Sequence, residues 1–123
     1  SILAQLVGDS TSCGRYSRTG FQHCGRCVPC QVRRGAYLAW GQSDDTTGGY
    51  KYDPLGQNDL RHSLFDDVRS VAIAVETVNR YGINELIGGA MNARMLGDVA
   101  PYREVVRRGI AELSALHAHL GVT

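Results

Sequence analysis

Apolar residues in the second half of the chain recur with the period of a helix. Leu64, Val68, Val71, Val75 and Val78 follow one another at steps of four and three residues, which places them on one helical face. Ser63, with Asp66 three residues on, makes a capping-box-like start in which Asp stands for the usual Glu or Gln. Gly82 ends that segment. Asn84 can cap a second helix, apolar at Leu86, Ile87, Ala90, Met91 and Met95, that runs to Gly97. Gly88-Gly89 weakens it or permits a close helix contact. Asp98 can cap a third, with Pro101 tolerated in its first turn. Tyr102, Val106, Ile110, Leu113, Leu116 and Leu120 form its stripe, and Gly121 closes it. Three amphipathic helices with short connections pack as antiparallel neighbours, so these stripes are read as core. No segment alternates convincingly as a strand.

The first half is patterned differently. A short apolar start (Ile2, Leu3, Leu6, Val7) gives way to irregular chain over Ser10–Gly14, and Gly20 and Gly25 punctuate the loop that follows. After Cys30 a helix is predicted, with Val32, Ala36, Ala39 and Trp40 on one face and Pro29 in its first turn. Gly41 stops it. From Gly41 to Gly56, four Gly and one Pro in sixteen residues predict a long loop, either a binding loop or a surface excursion. The expected fold is mainly α: a four-cysteine zinc knuckle, a short helix and a long loop (1–56) packed on a helical region (57–123), with three to four helices in all. At 123 residues this is one compact domain.

Charge adds an asymmetry. The formal net charge is only +1, so the bulk balance does not argue for nucleic acid. Yet Arg15, Arg18, Arg26, Arg33 and Arg34 fall between Ser10 and Ser43, where there is no Asp or Glu. All four cysteines lie in the same stretch. No run of 18 apolar residues suggests a membrane span. Ser1–Val7 lacks the basic flank of a secretory leader, so a cytoplasmic protein without a membrane partner is expected. The apolar start is expected of a fragment of a longer protein.

The spacing Cys13-x10-Cys24-x2-Cys27-x2-Cys30 carries the chemistry. Four thiolates suit tetrahedral Zn2+, which accepts sulfur without changing redox state. Two-residue spacers let a tight turn aim successive sulfurs at one ion, and Gly25 is the residue such a turn needs. Four thiolates and Zn2+ together leave two negative charges, which the surrounding arginines offset; Arg34 lies one helical turn beyond Cys30. Two disulfides are the first alternative, disfavoured by three cysteines crowded into seven residues. A [4Fe–4S] cluster is the second, although no fourth Cys follows Cys30 as it does in bacterial ferredoxins. Four unrelated buried thiols are the third. His23, next to Cys24, is expected to hydrogen-bond beside the site rather than replace a sulfur.

Ser12-Cys13, then His23-Cys24-Gly25-x-Cys27-x2-Cys30-x2-Arg33, then Asp45-x-Thr47 and Tyr50, resembles the C-terminal region of the 7-cyano-7-deazaguanine synthases of queuosine biosynthesis. The wording of residues 11–15 and 23–34 is closer still to the synthase-like proteins of Qat anti-phage defence systems. The resemblance covers roughly residues 10 to 50, and the helices after Ser63 have no part in it. It implies zinc on Cys13, Cys24, Cys27 and Cys30. It also implies a parent enzyme that activates a carboxylate with ATP and exchanges the activated oxygen for ammonia nitrogen, ending in a nitrile. The family's ATP site lies in an N-terminal α/β domain with an S-G-G-x-D-S loop, which this chain lacks. Its partners would be that missing domain and a deazapurine-like substrate.

Three functions compete at this point. The first is a structural zinc domain of a synthase-like, ATP-using enzyme, with Arg33 or Arg34 either pairing with the thiolates or facing an acidic substrate. The second is a nucleic-acid-binding zinc module with Tyr16 and Phe21 set among the arginines. The third is an Fe–S protein. No residue is assigned a catalytic role, since zinc would occupy all four candidate nucleophiles. His117 and His119 near the end of the last helix are expected as cations favoured by the helix dipole.

Overall fold

The computed structural model describes residues 1–55, 66–88 and 97–122. Among them the fold is mainly α. Helices α1 (Ile2–Asp9), α2 (Val28–Trp40), α3 (Asp67–Tyr81), α4 (Ile83–Ile87) and α5 (Ala100–His119) are joined by irregular chain, with a 3-10 turn at Ser17–Thr19. No strand occurs among the described residues, only an isolated parallel bridge between His23 and Tyr50.

Helix α1 had no counterpart in the apolar pattern. The Ser1 hydroxyl caps it by accepting from Ala4 N at 3.2 Å. Pro29 sits in the first turn of α2, and Gly41 ends that helix with a left-handed φ of 77°. Asp66 precedes α3 without a side-chain cap bond; Ser63 of the expected capping box and Leu64 of the expected stripe lie outside the described residues. The second predicted helix is realised as the short α4, which starts at Ile83 rather than after an Asn84 cap. Ala90, Met91 and Met95 lie outside the described residues. Asp98 does serve α5, its Oδ1 accepting from Ala100 N at 3.0 Å.

Helix α5 is the central element, packing on both α2 and α3, while α3 carries α4. Its approach to α2 is close at Gly35, where a Cβ would lie 3.2 Å from Glu112 O. The apolar core joins loop and helices: Leu55, Val68 and Leu116 are buried together, with Leu120 and Val122 against them. The predicted α5 stripe is therefore core at Leu113 and Leu116, but Tyr102 at its start is exposed.

Helix α2 is turned with the face read as apolar outward: Val32, Ala36, Ala39 and Trp40 are all exposed. Val32 and Trp40, on the face read as apolar, are 46% and 44% exposed. Its buried residues are Cys30, Gln31, Arg33, Arg34, Gly35 and Tyr37. The reason is what it faces: loop backbone rich in carbonyls, which needs donors rather than hydrocarbon.

Candidate metal centre

The four cysteines converge although they come from different local structures. Cys13 lies in the chain after α1, Cys24 follows the 3-10 turn, Cys27 is the N-cap of α2 and Cys30 is in its first turn. All four are buried. Their Sγ atoms lie within 4.8 Å of one another. The Cys24–Cys30 and Cys27–Cys13 sulfur pairs are 3.9 Å apart. Tetrahedral ligation at a zinc–sulfur distance of about 2.3 Å requires sulfurs about 3.8 Å apart. The cage therefore fits one ion, and the all-sulfur donor set is compatible with zinc. A four-iron cluster needs more room, because each of its thiolates binds a different iron.

Backbone N–H groups point at the sulfurs. Cys13 Sγ accepts from Arg15 N and Cys24 N, both at 3.3 Å. Cys24 Sγ accepts from Cys27 N at 3.2 Å and Arg26 N at 3.4 Å. These bonds favour thiolate. Without an ion, hydrogen bonds from the Cys27 and Cys30 thiols pull Cys24 far below the ordinary thiol range. Sharing that proton pushes Cys27 up to about 11, and Cys30 is raised by the same contacts. A cation entering the cage would release the protons that remain.

Gly25 makes the turn possible. Its φ is 90°, and a Cβ there would lie 2.5 Å from Tyr52 O. The adjoining loop is laced to the knuckle at this point by Lys51 N donating to His23 O and Tyr52 N donating to Cys24 O, both at 2.9 Å. Tyr16 and Tyr52 pack against the cysteines.

His23 is buried beside the cage. Its Nε2 accepts from Ser12 N at 3.2 Å, so the proton of the neutral ring is on Nδ1. Nδ1 is buried without a hydrogen-bond partner among the described residues. Burial, and then the charge of Arg33, lower its pKa.

Arg33 and Arg34 are both buried, and they act on oxygen rather than sulfur. Arg33 Nε donates to Thr46 Oγ1 at 2.7 Å. Its Nη1 reaches Ser10 Oγ at 3.0 Å and Ser12 Oγ at 3.4 Å. Its Nη2 reaches Val7 O at 2.6 Å and Gly8 O at 3.3 Å. Five N–H groups thus meet five acceptors, and none is left for an outside anion. Arg34 donates to Gly25 O at 2.9 Å, Asp53 O at 2.8 Å and Asp53 Oδ1 at 3.1 Å. Its guanidinium lies over the Tyr50 ring, 4.8 Å from the centroid.

Several participants had no clear sequence signal. Arg26 is fully buried, with Nε donating to Pro54 O at 3.0 Å. Gln31 donates to Arg26 O at 2.7 Å and meets His117 Nε2 through Oε1, also at 2.7 Å. His117 is therefore not the exposed cation expected from its place near the helix end: it is buried, and burial lowers its pKa. His119 is exposed. The polar set in the loop is likewise shifted by one residue from the expected Asp45-x-Thr47. Asp44 accepts from Thr46 Oγ1 and Tyr50 OH, both at 2.6 Å, and burial and Asp44 together raise the Tyr50 pKa. Thr47 instead donates to Asp9 Oδ1 at 2.6 Å.

No helix among the described residues is long and apolar enough to cross a membrane. The chain matches no protein-family model, no curated protein and no solved structure. The four-cysteine cage, able to hold a metal ion within a mainly helical fold, is what the geometry establishes.

Proposed function

We propose that the chain is a structural zinc-binding module, the C-terminal part of a 7-cyano-7-deazaguanine synthase-like, ATP-dependent enzyme with a place in anti-phage defence. One observation supports this most. Four non-cysteine residues of the shared motif have work around a single cage: Ser12 and His23 bond each other, Gly25 makes the turn, and Arg33 ties down the flanking loops. Four protein sulfurs would leave no open coordination position, so the ion would hold the knuckle in shape rather than activate a substrate.

On this reading the chemistry belongs to an upstream nucleotide-binding domain. A deazapurine-like substrate would meet the present chain in the open cleft of about 540 Å3 lined by Arg34, Tyr37, Asp44, Tyr50 and Asp53. Two measurements test the proposal. Metal analysis of protein purified without chelator is expected to give one zinc per chain; iron with inorganic sulfide would overturn the metal. The encoding reading frame is expected to continue upstream of Ser1 into an S-G-G-x-D-S loop, and a frame without one would overturn the parent enzyme.

A further inference from the structure

Phe21, in the loop between Cys13 and Cys24, is a residue that the fold itself does not explain. Its side chain is 71% exposed. Its backbone φ is 60°, the only positive value at a non-glycine residue among those described. A side chain in that region costs about 1 kcal/mol or more, which glycine or asparagine would largely avoid. The one backbone contribution of the residue is an N–H that donates to Tyr16 O at 2.9 Å and closes the 3-10 turn. Any residue but proline supplies that donor. The ring meets Tyr16 edge-on at 6.0 Å and is otherwise open to solvent. An exposed aromatic held at a strained backbone position points to a use outside the fold.

The surroundings indicate what the ring receives. Arg18 is exposed on the same turn, and no Asp or Glu occurs from Ser10 to Ser43. Lys51, the only lysine, is exposed and tied by its backbone N–H to His23 O, two residues from Phe21. Cations around an exposed π-face, with no carboxylate in the stretch, suit a polyanion that also offers flat rings.

We infer that the tip of the knuckle is a stacking site for single-stranded nucleic acid. Phe21 takes an unpaired base against its face, while Arg18 and Lys51 meet the flanking phosphates. A duplex is disfavoured because its bases are already stacked and a lone ring cannot reach them. This inference concerns a different surface from the cleft beside Arg34 and does not depend on the parent enzyme.

The test is fluorescence anisotropy of the metal-loaded chain with labelled oligouridine and oligothymidine of about twelve nucleotides. Both strands are expected to bind, more weakly as salt rises from about 50 to about 200 mM. Phe21→Gly and Phe21→Asn, which both accept the left-handed backbone, should keep the fold and bind about tenfold more weakly. Phe21→Trp should bind as the wild type does. Arg18→Ser should lower the salt slope by about one. Absence of salt-dependent binding to either strand overturns the inference. So does wild-type affinity in folded Phe21→Gly or Phe21→Asn, or a duplex that binds as tightly as the single strands.

Discussion

Replacing Arg33 separates two roles for a buried arginine beside a metal cage. If it were an anion site, Arg33→Ala would leave stability nearly untouched and remove only binding. The structure makes it a clamp. Its five N–H groups hold Val7 O, Gly8 O, Ser10 Oγ, Ser12 Oγ and Thr46 Oγ1, which joins the end of α1, the approach to Cys13 and the long loop. Hydrogen bonds from a charged donor contribute about 1.5–3 kcal/mol each, but one guanidinium's bonds are not additive. Water will also reach the exposed Ser10 and Ser12. Counting mainly Thr46, Val7 O and Gly8 O gives a loss of about 4 kcal/mol on truncation to alanine, within the range for breaking a buried charged network. For a domain of this size that is a fall of about 15 °C in Tm. Arg33→Lys keeps the charge but offers one compact ammonium in place of a planar fork, and is expected to lose about half as much. Urea unfolding of metal-loaded protein, followed by circular dichroism, measures both. If both variants fall within about 0.5 kcal/mol of wild type, the surface-substitution range, the clamp reading is wrong.

Chelation of the metal is expected to loosen the knuckle while most helical circular dichroism survives, because Leu55, Val68 and Leu116 form a core without any cysteine; complete loss of the helical signal would refute this. Gly25→Ala should cost about 2–3 kcal/mol, since a side chain at φ 90° is strained and its Cβ would press on Tyr52 O, measurable by the same urea titration. His117 has a folded-state pKa below its ordinary value, so its contribution to stability is complete above pH about 6.5 and is lost as pH falls through the lowered folded value. His117→Gln keeps a donor for Gln31 without titrating. Between about pH 7.5 and 5.5 the wild type should therefore lose more stability than this variant, with His23 and the cysteines common to both.

The sequence carried some of this structure openly and hid the rest for identifiable reasons. The cage was legible because Cys24, Cys27 and Cys30 are so close in the chain that local turns must bring their sulfurs together, and only Cys13 has to arrive from a distance. Helices α3 and α5 were legible because Val68, Val71, Leu113 and Leu116 bury one regular face. Helix α2 defeats the same rule. Its best apolar spacing, Val32–Ala36–Trp40, lies on the exposed side, because the other side meets carbonyls. Periodicity reports where hydrocarbon goes only when the interior is hydrocarbon. His117 lies near the helix end, where a cation is favoured, but it shares a face with Leu113, Leu116 and Leu120, and the face decides its burial. The acceptor that makes its burial tolerable, Gln31, is 86 residues away and has no signature in the sequence.

That exception explains why a metal belongs in this half of the chain. The buried residues of α2 include one glutamine and two arginines, and Arg26 is buried just before the helix. Such groups favour the folded state only when their partners are held in place; a network left half satisfied is worse than hydrocarbon. The partners here are carbonyls at the end of α1, Val7 and Gly8, and carbonyls and a hydroxyl of irregular chain at Gly25, Thr46, Asp53 and Pro54. With a divalent ion bound, four thiolates would fix them from within, since Cys13 and Cys24 lie in the segments that carry Ser12 and Gly25. With zinc bound the cage would carry two negative charges, and the three guanidiniums of Arg26, Arg33 and Arg34 are buried in the same half of the chain. A bound ion and the arginines would thus support each other: the ion would order the loops that carry the acceptors, and the arginines hold the loops that present the sulfurs. The knuckle should therefore gain its order as a unit when metal binds, while α3 and α5 keep an apolar core of their own.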